Sequence, residues 1–112
     1  MPWQVTFHPE MAEDFADLSE EVQDALLAHA RLLEKIGPTL GRPAVDTLKG
    51  SKVTNLKELR FSADGGVWRV AFAFDGRRIA VLLAGGDKAG VSEARFYRAL
   101  IAKAEQRWRT WE

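Results

Sequence analysis

The charged residues of one predicted β-hairpin are of the types that bind a phosphate group. The hairpin spans residues 55–74, "NLKELRFSADGGVWRVAFAF", and its Asp-Gly-Gly segment predicts the turn. Strand side chains alternate between faces, so Glu58 and Arg60 share a face that Arg69 joins from the second strand. An arginine fork holds phosphate oxygens bidentately and keeps its proton. The spacing therefore predicts a cationic cleft floor on which Glu58 is the only carboxylate.

Two segments further along the chain supply residues that could cover this floor. The last strand ends in "LLAGGDK", where the glycines permit a close approach and Lys88 follows. The closing helix begins with "SEARFYR", which places Tyr97 in its early turns. We expect both to close over the face that carries Arg69. The alternatives are structural: a cross-strand salt bridge for the charged trio, and a core position for Tyr97.

Composition restricts the class of protein. A chain of 112 residues with 46% hydrophobic and 29% charged residues predicts one globular domain over 1–112. There is no cysteine, and the two histidines, His8 and His29, lie far apart, so we predict no metal site and no cofactor. The sequence shows neither a signal peptide nor an apolar run of membrane-spanning length, which predicts a cytoplasmic protein without a membrane partner.

The formal net charge of zero hides a division between the two parts of the chain. Residues 1–48 carry three basic and nine acidic side chains, a balance of −6, and residues 49–112 carry thirteen basic and seven acidic ones, a balance of +6. A basic half indicates a polyanionic partner. Attraction between the two halves within the fold is the alternative.

The hydrophobic periodicity and the residues that typically begin or end helices and strands predict seven elements in the order β-α-α-β-β-β-α. Residues 37–54 contain glycines and prolines without a clear period, and we interpret them as a loop. The fold class is therefore α+β, with a twisted antiparallel sheet packed by an N-terminal helical hairpin and a C-terminal helix. The predicted strands are 3–7, 55–61, 67–75 and 78–84, and the predicted helices lie within 8–18, 19–37 and 91–111.

The segments "LKELRF", "WRVAFAF", "AVLLAGGDK" and "FYRALIAKAEQRW", in this order, resemble the RelE/ParE toxin superfamily. The chain is most similar to the phage-derived, HigB-like branch of type II toxin–antitoxin toxins. The resemblance implies a RelE-like fold and a ribosome-dependent mRNA endoribonuclease that inhibits translation. It also implies a cognate helix-turn-helix antitoxin, with DNA contacted only indirectly through the antitoxin complex.

The same resemblance assigns roles to individual residues. Arg69 matches the family arginine that contacts the scissile phosphate, and Lys88 and Tyr97 lie near a family basic residue and a family tyrosine. Glu58 and Arg60 match the "ELR" strand. The chain departs from the pattern at Glu58, where RelE is lysine-rich, and at Asp87, where a second basic residue is common.

Cleavage of RNA by its own 2′-hydroxyl needs a base, an acid and cations that stabilise the phosphorane. We predict a metal-independent reaction with Glu58 as the base, Lys88 or Tyr97 as the acid, and Arg69 beside Arg60 as the main cations. Four outer cations are expected to hold backbone phosphates without reading bases: Lys49, Lys52, Lys57 and Arg95.

Two other functions remain open from the sequence. ParE-like relatives with the same fold inhibit DNA gyrase by binding, and fold alone does not decide function. A catalytically inactive homologue that only binds its antitoxin is the second alternative.

Overall fold

A computed structural model describes residues 3–111 of the chain. Its strands are β1 (Gln4–Phe7), β2 (Val45–Thr47), β3 (Lys57–Ala63), β4 (Gly66–Asp75) and β5 (Ile79–Asp87). Its helices are α1 (Pro9–Ala16), α2 (Glu20–Ile36) and α3 (Glu93–Thr110), with a short 3-10 turn at Gly37–Thr39.

The strands form a five-stranded sheet in the order β1-β5-β4-β3-β2. The β3-β4-β5 meander is antiparallel, as predicted, and the α+β architecture with three helices is confirmed. The sheet is mixed rather than wholly antiparallel, because β1 pairs with β5 in parallel. Hairpin turns force neighbouring strands to run in opposite directions, whereas β1 connects to the sheet through two helices, a crossover that permits a parallel pair.

Strand β2 was missed because its three residues lie in the segment predicted as a loop. Val45 is its one buried hydrophobic side chain, so the sequence has no alternation to detect. The strand forms where β3 offers an open edge, and it aligns Asp46 with Glu58. This pairing adds a second carboxylate to the face that carries the charged trio.

The two helical layers cover opposite faces of the sheet. Helices α1 and α2 pack on the face of Leu59, Phe61 and the Trp68-to-Phe74 series, as the alternation predicted. Helix α3 packs on the other face, against the small side chains of Ala71 and Ala73. The small side chains of these alanines allow α3 to pack closely on the sheet beside Arg69.

Each helix begins at a polar cap. Ser19 and Ser92 accept backbone hydrogen bonds from Val22 and Arg95 at 3.3 and 3.4 Å, which starts α2 and α3 where serine caps are expected. Helix α2 ends at Gly37, whose φ of 74° is in the left-handed region. No helix among residues 3–111 is both long enough and apolar enough to cross a membrane.

The acidic first part and the basic second part of the sequence supply exposed charges to opposite sides of the molecule. Exposed acidic residues of α1 and α2 lie on one side, among them Glu13, Glu20 and Glu21. Exposed basic residues of α3 lie on the other, namely Arg95, Arg98, Lys103 and Arg109. The face of α3 therefore carries an excess of exposed positive charge.

Candidate active site

An open cavity of about 590 Å³ lies between α3 and the β2-β3 edge of the sheet. It has a charged floor and a partly apolar wall, and its volume exceeds what a phosphate group alone would need. The lining residues are Asp46, Thr47, Leu48, Lys49, Glu58, Arg60, Glu93, Tyr97 and Ile101.

Arg60 and Arg69 face each other directly across the β3-β4 pair, an arrangement that is unfavourable for like charges. Glu58 resolves it. Its Oε2 accepts a hydrogen bond from Arg60 NH1 at 3.0 Å, and its Oε1 lies 3.8 Å from Arg69 Nε. The side chains of Glu58 and Arg69 are only 4% and 9% exposed. The predicted trio therefore forms, with a buried carboxylate holding two guanidinium groups in place.

Glu58 Oε1 is buried and has no hydrogen-bond partner within normal limits of distance and angle. Buried carboxylate oxygens are normally satisfied, so an unsatisfied one marks a functional candidate. Its neighbour on the α3 side is Tyr97, whose hydroxyl accepts a hydrogen bond from Arg69 Nε at 3.2 Å. The phenolic proton is thus left free to point towards the Glu58 carboxylate.

The pKa of Tyr97 is raised above its ordinary value. The main cause is burial, which penalises the phenolate, and the nearby Glu58 carboxylate raises the pKa further. The Arg69 guanidinium acts in the opposite direction. Tyr97 is therefore a neutral hydrogen-bonding group throughout the physiological range.

Tyr97 can be observed directly because it is the only tyrosine of the chain. We expect the phenolate absorbance of the native protein to titrate with a midpoint above 10, the ordinary value, and that of the urea-unfolded protein to return to about 10. Glu58→Gln should move the native midpoint down, because it removes a neighbouring negative charge. The native state holds the proton longer than the unfolded chain does, so native stability should fall as the pH rises through the native pKa. A native midpoint at or below the unfolded one would contradict this assignment.

Lys88 lies at the rim of the site, as predicted, but it is paired. Its Nζ is 2.8 Å from Glu93 Oε1 and 5.9 Å from the centre of the Tyr97 ring. Its backbone is fixed by a hydrogen bond from Lys88 N to Val67 O at 2.8 Å. Asp87, which departs from the family pattern, has a structural role, because its Oδ1 accepts hydrogen bonds from Val67 N and Ala89 N.

Sequence reasoning missed two carboxylates that line the cavity, so Glu58 is not alone there. Asp46 Oδ2 lies 3.0 Å from Arg42 NH2 and 3.7 Å from Arg60 NH1. Hydrogen bonds from the Thr47 backbone and from Arg42 lower the pKa of Asp46. Glu93 was visible in the sequence only as the residue after a serine cap, which gives no signal of a site.

The outer cations predicted to hold RNA are not all brought together. Lys49 lines the cavity, and Lys52 lies on the adjoining loop, whose backbone is fastened to α3 by Glu105. Lys57 shares its strand face with Leu59 and Phe61, opposite the cavity, since alternation places it there. Arg95 lines a separate, smaller cavity beside α3. Lys57 and Arg95 are thus not part of this site.

Strand β5 continues past its predicted end at residue 84 to Asp87. The glycines in this added part allow α3 to approach the strand closely. A Cβ atom on Gly86 would lie 3.2 Å from Cε1 of Phe96, so the missing side chain lets Phe96 rest on the strand. A register shift in the β4-β5 pair near Ala71 precedes this contact, and such irregularities often occur beside active sites. Phe96 in turn places the adjacent Tyr97 over Arg69.

Gly86→Val should therefore damage the site at a distance. The added methyl groups would push Phe96 and the start of α3 outwards, at a cost of about 1–3 kcal/mol in stability. Once separated from Glu58 and Arg69, Tyr97 should show a phenolate midpoint closer to the ordinary value. Gly76→Val is the matched control, because a Cβ atom there meets nothing within 4 Å. An unchanged Tyr97 midpoint in Gly86→Val would show that this contact does not position Tyr97.

The histidines lie outside the cavity. His8 caps α1, where its Nδ1 accepts a hydrogen bond from Glu10 N, and His29 stacks on Phe61 on the α2 face. Among residues 3–111 there is no group of three or more His, Cys, Asp or Glu residues suited to hold a metal ion. The ionisable groups at the cavity are therefore carboxylates, guanidinium groups, lysines and one phenol.

Comparisons with known proteins agree with this geometry. A family model described as phage-derived protein Gp49-like matches residues 13–109. A Mycobacterium tuberculosis protein named as toxin HigB3 is 43% identical over 103 residues, which cover 92% of this chain and 88% of the relative. A second relative from that organism, named as toxin HigB2, is 46% identical over 74 residues, which cover 65% of this chain and 37% of the relative.

Two solved structures share the fold. A mutant of the E. coli toxin RelE in the free state matches with a TM-score of 0.63 at 12% identity, covering 92% of this chain and 97% of that one. RelE from the archaeal RelE–RelB complex of Pyrococcus horikoshii matches with a TM-score of 0.59 at 17% identity, covering 81% and 100%. The resemblance seen in the sequence is confirmed: the chain belongs to the phage-derived Gp49-like family, is related to HigB toxins and has the RelE fold.

Proposed function

We propose that this chain is the toxin of a toxin–antitoxin pair and that it cleaves mRNA on the ribosome. The observation that carries the proposal is the pair of guanidinium groups, Arg60 and Arg69, held by buried Glu58 beneath a cavity that Tyr97 lines. The names of the HigB and RelE relatives support the toxin assignment. The excess of exposed cations on α3 supports a nucleic-acid substrate.

The guanidinium groups bind the scissile phosphate in this proposal. Arg69 and Arg60 point to one face from adjacent strands and bring fixed positive charge to the oxygens that become more negative in the phosphorane. Lys88 adds a third cation beside Tyr97. These groups supply the charge that the reaction needs, so we propose that cleavage is metal-independent.

The proton path follows from the burial of Glu58 Oε1, which has no direct access to substrate. The RNA 2′-hydroxyl gives its proton to the Tyr97 oxygen while the Tyr97 proton passes to Glu58. This concerted relay avoids a free phenolate, which burial disfavours. The 2′-oxygen bonds to phosphorus, the bond from phosphorus to the 5′-oxygen breaks, and Lys88 protonates that oxygen. The products are a 2′,3′-cyclic phosphate and a 5′-hydroxyl.

We further propose a cognate antitoxin as the protein partner. The archaeal RelE of the same fold was solved in complex with RelB. An antitoxin with a helix-turn-helix domain would neutralise the toxin and contact DNA, so this chain would meet DNA only through that complex. The site of action would be the cytoplasm, where ribosomes and mRNA meet.

The test is primer extension on a reporter mRNA after brief induction of the toxin. We expect cleavage within translated codons, and no cleavage of the same mRNA when its start codon is removed. Arrested growth with intact mRNA and blocked supercoiling would favour the gyrase alternative. Normal growth with intact mRNA would favour an inert antitoxin-binding homologue.

A further inference from the structure

The cations of the site are already paired with carboxylates of the same molecule. Glu58 holds Arg60 and Arg69, Asp46 lies 3.7 Å from Arg60, and Glu93 lies 2.8 Å from Lys88. A phosphate that enters the cavity must share these cations with the carboxylates or displace them.

Glu93 differs from the other two acids in how it is held. Glu58 is buried, and Asp46 is fixed by hydrogen bonds from the Thr47 backbone and from Arg42. The side chain of Glu93 is 71% exposed, and it forms an ion pair with Lys88. Rotation of Glu93 into solvent therefore breaks one ion pair, in which Lys88 is 21% exposed, and requires no change in the fold.

The charge of Glu93 also acts on the centre of the site. The Lys88 hydrogen bond lowers the pKa of Glu93, and the positive charges of Arg69 and Arg60 lower it further. These are the two guanidinium groups proposed to hold the scissile phosphate. A phosphate group bound beside these arginines would repel the Glu93 carboxylate, because both groups are negatively charged.

We propose that Glu93 is an internal competitor of the substrate phosphate: it occupies Lys88 in the free protein and must rotate away when RNA binds. This inference rests on the proposed function and deepens it. Glu93 lowers the affinity of the toxin for single-stranded RNA and limits binding to substrate that offers several phosphates at once. Ion pairs at the protein surface are weak, so the effect on the dissociation constant is about two- to fivefold.

The experiment measures binding of a 2′-deoxy-substituted RNA oligonucleotide, which lacks the attacking hydroxyl and stays intact. We expect Glu93→Gln to bind it about two- to fivefold more tightly than wild type at low salt, with the gain shrinking as salt is added. Glu20→Gln is the matched control, because Glu20 also follows a serine cap and begins a helix, but on the opposite side of the sheet. Its affinity should equal that of the wild type.

Two outcomes would overturn the inference. Equal affinity of Glu93→Gln and Glu20→Gln would show that Glu93 does not compete. Weaker binding by Glu93→Gln would show that Glu93 positions Lys88 for the substrate.

A second probe separates this inference from the proposed function. Inorganic phosphate should raise the melting temperature of Glu93→Gln more than that of wild type or Glu20→Gln. If that difference appears while no variant binds RNA, the competition stands and the RNA substrate is wrong. If wild type binds RNA and the phosphate shift is the same in all three, the competition is wrong and the RNA substrate stands.

Discussion

Replacement of Arg69 by alanine is expected to reduce mRNA cleavage by about 10²–10³-fold, the usual effect of removing one preorganised charge-stabilising group. Arg69 is buried beside Glu58, and its Nε donates a hydrogen bond to the Tyr97 hydroxyl at 3.2 Å. Its loss removes both the proposed phosphate ligand and the hydrogen bond that orients the proposed relay. The measurement is single-turnover cleavage of a reporter mRNA on purified ribosomes.

Two controls separate this catalytic effect from misfolding. Arg69→Lys keeps a positive charge beside Glu58 but not the planar fork, so it should fold and still cleave more slowly than wild type. Arg31→Ala removes an exposed cation from α2, on the opposite face, and should cleave at the wild-type rate. Cleavage near the wild-type rate by a folded Arg69→Ala protein would remove Arg69 from the mechanism.

Replacement of Glu58 by leucine is expected to lower the free energy of unfolding by about 3–5 kcal/mol, because it leaves Arg69 buried without its counter-ion. In a domain of this size such a loss corresponds to a decrease in melting temperature of roughly 10 °C or more. Arg60 is 24% exposed and has Asp46 nearby, so the main cost falls on Arg69. The measurement is urea unfolding followed by circular dichroism.

A double-mutant cycle identifies the cause of that loss. Glu58→Leu combined with Arg69→Leu should be clearly more stable than the sum of the single effects predicts, since neither charge is then left alone. Arg42→Ala is the control for an exposed pair, because its side chain is 68% exposed, and it should change stability by less than about 1 kcal/mol. Additive effects of Glu58 and Arg69 would mean that the pair contributes little to the folded state.

Both variants, Arg69→Ala and Glu58→Leu, are expected to change the pKa of Tyr97. Arg69 and Glu58 shift its pKa in opposite directions, so their removal should move the phenolate midpoint in opposite directions. The chain thus carries an internal reporter of the site that does not depend on RNA, ribosomes or an antitoxin.

Much of the fold and part of the site follow from local pattern in the sequence. Alternation along residues 57–63 and 66–75 places Glu58, Arg60 and Arg69 on one face, because side chains of a strand alternate regardless of what packs on them. Turn residues predicted the β3-β4 hairpin, where Asp64 and Gly65 have φ values of 50° and 73°. The predicted ranges of the three helices agree with the observed ones within a few residues.

Other features depend on contacts between segments distant in sequence, and no local pattern encodes them. β2 is too short to show a period and forms because β3 has an open edge, which brings Asp46 to the site. The parallel direction of β1 depends on its crossover through two helices. Lys57 and Arg95 share the charge of the site residues, but their positions on strand and helix direct them elsewhere.

The burial and the ion pairing of the site residues likewise depend on how α3 packs on the sheet. The sequence predicted a cationic floor covered by Lys88 and the start of the last helix, but it did not predict how closely α3 packs there, on Ala71 and Ala73. That contact buries Glu58 Oε1, raises the pKa of Tyr97 and places Glu93 against Lys88. The residue types and their strand face follow from the amino-acid order because they depend on backbone geometry alone. Burial and ion pairing do not, because they depend on where a helix more than 20 residues away in sequence comes to rest.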